Sequence, residues 1–131
     1  MEKNSALSEP NAPSLSPDRA RRLESQLQDV LEIICATETF VNGLDFWSFG
    51  RDQKTIFATE RALGIISATA KRLPINFMDQ HPQINWRRII GFGDSLTFGY
   101  LEVDLNILWT LIQTDLPQLK GLLEQMLKES F

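Results

Sequence analysis

Residues 86–100, WRRIIGFGDSLTFGY, are the stretch on which the reading of this chain turns. Ile89, Ile90, Phe92 and Leu96 recur at helical spacing and give it one apolar side. Asn85 stands just ahead of it and is a residue type that caps helices. Gly91, Gly93 and Gly99 weaken the helix, each by roughly 1 kcal/mol relative to Ala if it lies in the interior.

Upstream, Ser16-Pro17-Asp18 marks a helix start. Ser16 can cap, Pro17 suits the first helical position, and Asp18 meets the positive end of the helix dipole. From there Leu23, Leu27, Val30, Ile34, Thr37 and Val41 repeat at alternating steps of four and three, a seam widened by Leu31 and Phe40. Asn42-Gly43 ends it, because Gly accepts the left-handed conformation of a helix terminus. Residues 44–52, LDFWSFGRD, form a connector with room for one short helical turn. A second long helix is expected from Asp52 to Leu73, with Ile56, Leu63, Ile66, Ala70 and Leu73 as its stripe and Pro74 as its stop. Residues 75–83, INFMDQHPQ, read as a linker.

Downstream, a fourth helix starts near Asp104 and uses Leu105, Leu108, Ile112, Leu116, Leu119, Leu122, Leu123 and Met126. Pro117 is expected to kink or break it, since proline lacks the backbone donor and clashes with the preceding turn. Nothing reads as a β-hairpin. The fold class is all-α, an up-down four-helix bundle over residues 16–131, preceded by a disordered tail over residues 1–15 that is rich in Ser, Pro and Asn. Apolar residues exceed what one seam per helix needs, and Trp47, Trp86 and Trp109 add large surfaces, so a homodimer is expected, with a single well-filled monomeric core as the alternative.

Composition narrows the chemistry. The chain has 131 residues, which fits one domain, and a net charge of −4, which speaks against a strongly electrostatic nucleic-acid binder. Arg19, Arg21 and Arg22 form one local cluster and Lys71, Arg72, Arg87 and Arg88 another, which the overall acidity favours reading as solvated helix faces. Cys35 is the only cysteine, so there is no intrachain disulfide and no Cys metal cluster, and it reads as a small apolar helix residue. His81 is the only histidine, and nothing at suitable spacing makes it part of a metal site or a hydrolytic triad. No cofactor, no metal and no membrane segment are expected, and with no signal-peptide core the protein is expected in the cytoplasm.

The block from Trp86 to Tyr100, with LEVDLNILW after it and DLPQL a turn later, resembles the C-terminal signature of the HepT-like family, the HEPN-type ribonuclease toxins of two-gene toxin–antitoxin systems. In that family the stretch reads W-R-x-I-x-G-M-R-N-x-L-x-H-x-Y, around an Arg-x4-His-x-Tyr core. The resemblance covers roughly residues 20–128. It includes Phe40-Val41-Asn42-Gly43-Leu44, Ala70-Lys71-Arg72-Leu73-Pro74, Pro82, Ile84, Val103-Asp104-Leu105, Trp109 and Asp115-Leu116-Pro117. No piece alone is specific; their order and spacing together are.

The resemblance implies an endoribonuclease in which the motif Arg and His carry metal-independent RNA cleavage, and a dimer that brings two motifs to one cleft. Those residue types suit the reaction. Attack of a ribose 2′-hydroxyl on the adjacent phosphate needs a proton carrier that titrates near working pH, and a guanidinium stabilises the charge that builds on phosphorus-bound oxygens. Here the Arg position holds Gly93 and the His position holds Phe98, neither of which can fill its role. The family's Gly-Glu-Ala in the second helix aligns with Ser67-Ala68-Thr69, so an acidic residue is absent too. Cleavage is therefore expected to be impaired, with the dimer and antitoxin-binding surfaces kept. Tyr100 matches, and in the family it is the residue to which a MntA-type nucleotidyltransferase antitoxin transfers AMP; read without the family, Tyr100 packs with its hydroxyl at the cleft edge. Asp94 and Thr97 are the other polar residues of the motif, and Asp94 carries over as a cleft candidate. Two other readings stand beside this one: an active ribonuclease that uses His81, Arg87 or Arg88, and a helical interaction protein outside toxin–antitoxin systems.

Overall fold

A computed structural model describes residues 16–98 and 103–130. The N-terminal stretch read as a tail, and Tyr100, lie outside the described residues. The described residues are helical, with no strand among them. The first helix, α1 (Pro17–Val41), starts as its sequence says: the Ser16 hydroxyl accepts from the Arg19 N–H at 3.2 Å. Just beyond its end at Val41, Gly43 takes a φ of +81°, the left-handed conformation. A short α2 (Phe46–Gly50) follows, capped by Asp45, which accepts from the Ser48 N–H at 2.8 Å. Asp52 caps α3 (Gln53–Lys71) through both the N–H and the hydroxyl of Thr55, at 3.1 and 2.7 Å.

The segment read as a linker is not all loop. Pro74 opens a five-residue helix, α4 (Ile75–Asp79), which buries Phe77. One buried aromatic at one turn gives no periodicity to detect, so the sequence carries no signal for it. Then α5 (Trp86–Phe98) begins where expected, with the Asn85 side chain accepting from the Arg88 N–H at 3.0 Å.

The last helix survives its proline by a different route from a break. Asp104 caps α6 (Leu105–Thr110), the chain continues through a π turn (Leu111–Asp115), and α7 (Leu116–Ser130) follows without a gap. The Leu116 N–H donates to the Leu111 carbonyl five residues back. In a regular helix the Pro117 ring would press on the carbonyl four residues earlier; the wider turn accommodates that conflict.

The long helices form one bundle. α3 packs between α1 and α5, α1 also packs on α7, and the π turn touches α5. Leu27, Ile34, Leu63, Ile66, Ile89, Leu108, Leu111, Leu116 and Leu123 are the fully buried centre. Thr37 belongs to it as well, with its hydroxyl donating to the Ile33 carbonyl at 2.8 Å. Phe49 is buried with its ring 4.9 Å from that of Trp109. Trp47 does not join the core and remains 77% exposed.

Candidate functional site

The two helices that carry the motif positions cross closely. Ser67 on α3 is 2% exposed and its hydroxyl donates to the Ile90 carbonyl of α5 at 3.2 Å. Gly93 lies against the same serine: a Cβ built on Gly93 would sit 1.9 Å from Ser67 Oγ and 2.3 Å from Ser67 Cβ. Oγ could rotate away, but Cβ is fixed to the backbone. A side chain at position 93 and a serine at position 67 are mutually exclusive at this helix separation.

Beside that crossing is an open groove of about 530 Å³. Its α3 wall runs Phe57, Glu60, Arg61, Gly64, Ser67, Ala68 and Lys71, and its α5 wall is Gly93, Asp94 and Leu96. The positions singled out in sequence, 67, 68, 93 and 94, are thus brought to one place. Asp94 is half-exposed and pairs with Lys71 across the groove. Phe98 is the last residue of α5, one turn beyond Asp94.

The other candidates lie elsewhere. His81 is not a groove residue. Its ring packs 4.9 Å from that of Phe77, and its carbonyl accepts from the Trp86 indole N–H at 3.0 Å. Arg88 points to the opposite side of α5, where its guanidinium donates twice to the Asp115 carboxylate, at 2.7 and 2.8 Å. Asp115 is 2% exposed, and the pairing raises Arg88 further above its already high value. Arg87 is exposed and borders a separate depression with Ile75 and Trp86. The basic cluster expected from Lys71, Arg72, Arg87 and Arg88 is therefore dispersed, with Lys71 and Arg88 each engaged by a carboxylate.

Four groove residues, Gly64 among them, were not singled out from sequence. Phe57, Glu60 and Arg61 occupy the first turns of the α3 face that continues through Gly64, Ala68 and Lys71. These positions step by three and four, out of phase with the buried stripe of Leu63, Ile66 and Ala70. That second stripe was available as a signal, but its mixed residue types have no hydropathy to reveal it. Glu60 is held above the usual carboxylate range by burial.

Residues 30–126 match the family described as Ribonuclease HepT-like. The chain belongs to that family. It is 38% identical over 108 residues to a probable ribonuclease HepT of Thermococcus cleftensis, covering 82% of this chain and 98% of the relative. It is 32% identical over 89 residues to a candidate RNase of Caldanaerobacter subterraneus, covering 68% of this chain and 80% of the relative. A candidate RNase of Methanocaldococcus jannaschii is 29% identical over 103 residues, covering 79% and 85%. No solved structure matches the chain. Among the described residues the groove holds neither histidine nor the motif arginine, and its wall at position 93 has no space for one while position 67 is Ser.

No helix among the described residues is long and apolar enough to cross a membrane.

Proposed function

We propose that this protein is a HepT-like toxin–antitoxin component that has lost most of the RNA cleavage of its family while keeping the bundle, the dimer and the antitoxin-binding surface. The observation that carries the reading is the crossing of Ser67 and Gly93. Gly93 is more than a missing arginine: the helices have closed over the space that a side chain there would need. The reaction requires a proton carrier and a cation around one phosphate. The groove offers Arg61, a Lys71 already paired with Asp94, and Glu60. His81, the one imidazole, is packed on Phe77 away from it.

The same geometry weighs against an active ribonuclease built on His81, Arg87 or Arg88, since these residues do not line one cavity and Arg88 is tied to a buried carboxylate. Self-association is supported by Trp47, 77% exposed, beside Phe46 and Leu105 around an apolar depression of about 350 Å³. In this reading the protein is cytoplasmic, its partner is a MntA-type nucleotidyltransferase, and Tyr100 is the residue that receives AMP.

The test is co-expression with a MntA-type nucleotidyltransferase encoded beside this gene in its own genome. Stable co-purification, with incorporation of AMP that Tyr100→Phe abolishes and no RNA cleavage by the isolated protein, is the expected result. Failure to bind any co-encoded nucleotidyltransferase would remove the toxin–antitoxin assignment. Cleavage of RNA by the isolated wild type would remove the impairment. Sedimentation of the wild type as a dimer, with Trp47→Ser shifted towards monomer, checks the interface.

A further inference from the structure

The α3 wall of the groove has a feature that loss of cleavage does not explain. Phe57, Glu60, Arg61 and Gly64 share one face of α3, at spacings of three and four. Phe57 leaves 59% of its surface in solvent. Arg61 is exposed and has no ion-pair partner among the described residues, whereas the groove's other cation, Lys71, is engaged by Asp94. Glu60 is partly buried and makes no hydrogen bond or ion pair among the described residues. One turn on, Gly64 leaves the floor open: a Cβ there would meet nothing nearer than Leu96 Cδ1 at 3.8 Å.

We propose that this face is a recognition site for an unpaired guanine nucleotide, with Glu60 accepting from the edge of the base, Phe57 stacking on its face and Arg61 binding its phosphate. The inference rests on the reading of the α3–α5 groove as the RNA-facing site. A carboxylate that has given up part of its water and has no donor calls for donors, and the guanine edge presents an imino N–H and an amino N–H side by side. Adenine and cytosine set an acceptor beside their amino group, and uracil flanks its imino group with two acceptors, so each leaves one carboxylate oxygen facing an acceptor. Single-stranded bases are commonly held by stacking on an exposed aromatic ring, and a free guanidinium suits a phosphate. An arginine side chain from a protein partner would also satisfy Glu60, but it would bring a like charge against Arg61. The nucleotide matches both charges.

Titration of the purified protein with guanosine, adenosine, cytidine and uridine monophosphates, followed by calorimetry, tests this. Guanosine monophosphate is expected to bind about tenfold more tightly than the others, the scale of one bidentate base contact. Glu60→Gln should abolish that preference, and Phe57→Ala should weaken all four. Arg61→Ala should weaken the monophosphate but not guanosine. Gly64→Ala keeps ordinary contacts in the fold and should weaken every nucleotide by filling the floor, so lost binding there cannot be laid to misfolding. Equal binding of guanine and adenine nucleotides, no saturable binding at millimolar concentration, or tighter binding of an arginine amide would overturn the proposal. These outcomes are independent of cleavage. RNA cleavage by the wild type would overturn the impaired site and leave this inference standing, and equal nucleotide binding would do the reverse.

Discussion

The two sides of α5 differ in what they have kept. On the core side, Ile89 and Phe92 are buried and Arg88 is clamped to Asp115 at the π turn. On the groove side, Gly93 lies against Ser67, and Asp94 meets Lys71 in a half-exposed pair. The core side holds the bundle together. In the proposed reading the groove side is the reactive one, and there Gly93 stands at the position of the motif arginine. If cleavage is lost as proposed, the fold can persist without it, because different faces of one helix carry the two. The groove face also has a structural part, a close helix crossing that leaves no space for a side chain at position 93.

Substitutions separate these roles. The largest effect is expected from Gly93→Ala, whose Cβ would fall 2.3 Å from Ser67 Cβ. Overpacking of that kind should cost about 3 kcal/mol, even after the gain in helix propensity. Ser67→Gly in the same chain should recover most of it, and a double-mutant cycle by denaturant unfolding would read a coupling above about 1 kcal/mol. Additive effects would mean that the crossing is not what holds position 93 to glycine.

Next is Arg88→Met on the core side. It leaves the 2% exposed Asp115 carboxylate without its partner. Arg88 itself is 38% exposed, so water replaces part of what is lost, and the expected cost is about 2 kcal/mol, below the range for a wholly buried pair. Lys71→Met on the groove side should cost less than about 1 kcal/mol, because both members of that pair are about half exposed. Thermal unfolding of the two variants side by side checks the order. If Lys71→Met proved the more damaging, the assignment of roles to the two sides would be reversed.

The smallest effect concerns pH. Burial holds Glu60 above its unfolded value, so the folded state keeps that proton longer than the unfolded state does. Stability therefore falls as pH rises from the unfolded value through the raised one. Glu60→Gln should flatten that fall and raise the melting temperature slightly at neutral pH. Asp45 and Asp52 act with the opposite sign. Hydrogen bonds from Ser48 and Thr55 hold them below the usual range, so their contribution is present above the unfolded value and is lost as pH falls through the lowered one. A melting curve for Glu60→Gln that ran parallel to the wild type across this range would contradict the burial of Glu60.

Much of this was legible in the sequence, for reasons that are themselves local. Ser16-Pro17, Asp52 and Asp104 announce helix starts through their own side chains, and Asn42-Gly43 announces an end. The Arg-x4-His-x-Tyr pattern and its two departures could be read because they lie within one turn or two. What was not legible involves partners far apart in the chain. Pro117 signalled trouble, but not that a π turn would absorb it and place Asp115 against Arg88, 27 residues earlier. Ser67 and Gly93 each looked like a simple departure from the family. Only their contact shows that each position constrains the other.

That coupling gives the most direct test of the central claim. RNA cleavage should be measured for the wild type, for Gly93→Arg with Phe98→His, and for the same pair with Ser67→Gly added. The expected result is an inert wild type, a destabilised double variant with little or no cleavage, and recovery of cutting in the triple variant. Cleavage by the wild type, or full recovery in the double variant without any change at Ser67, would contradict the account of a nuclease groove closed by its own helix crossing.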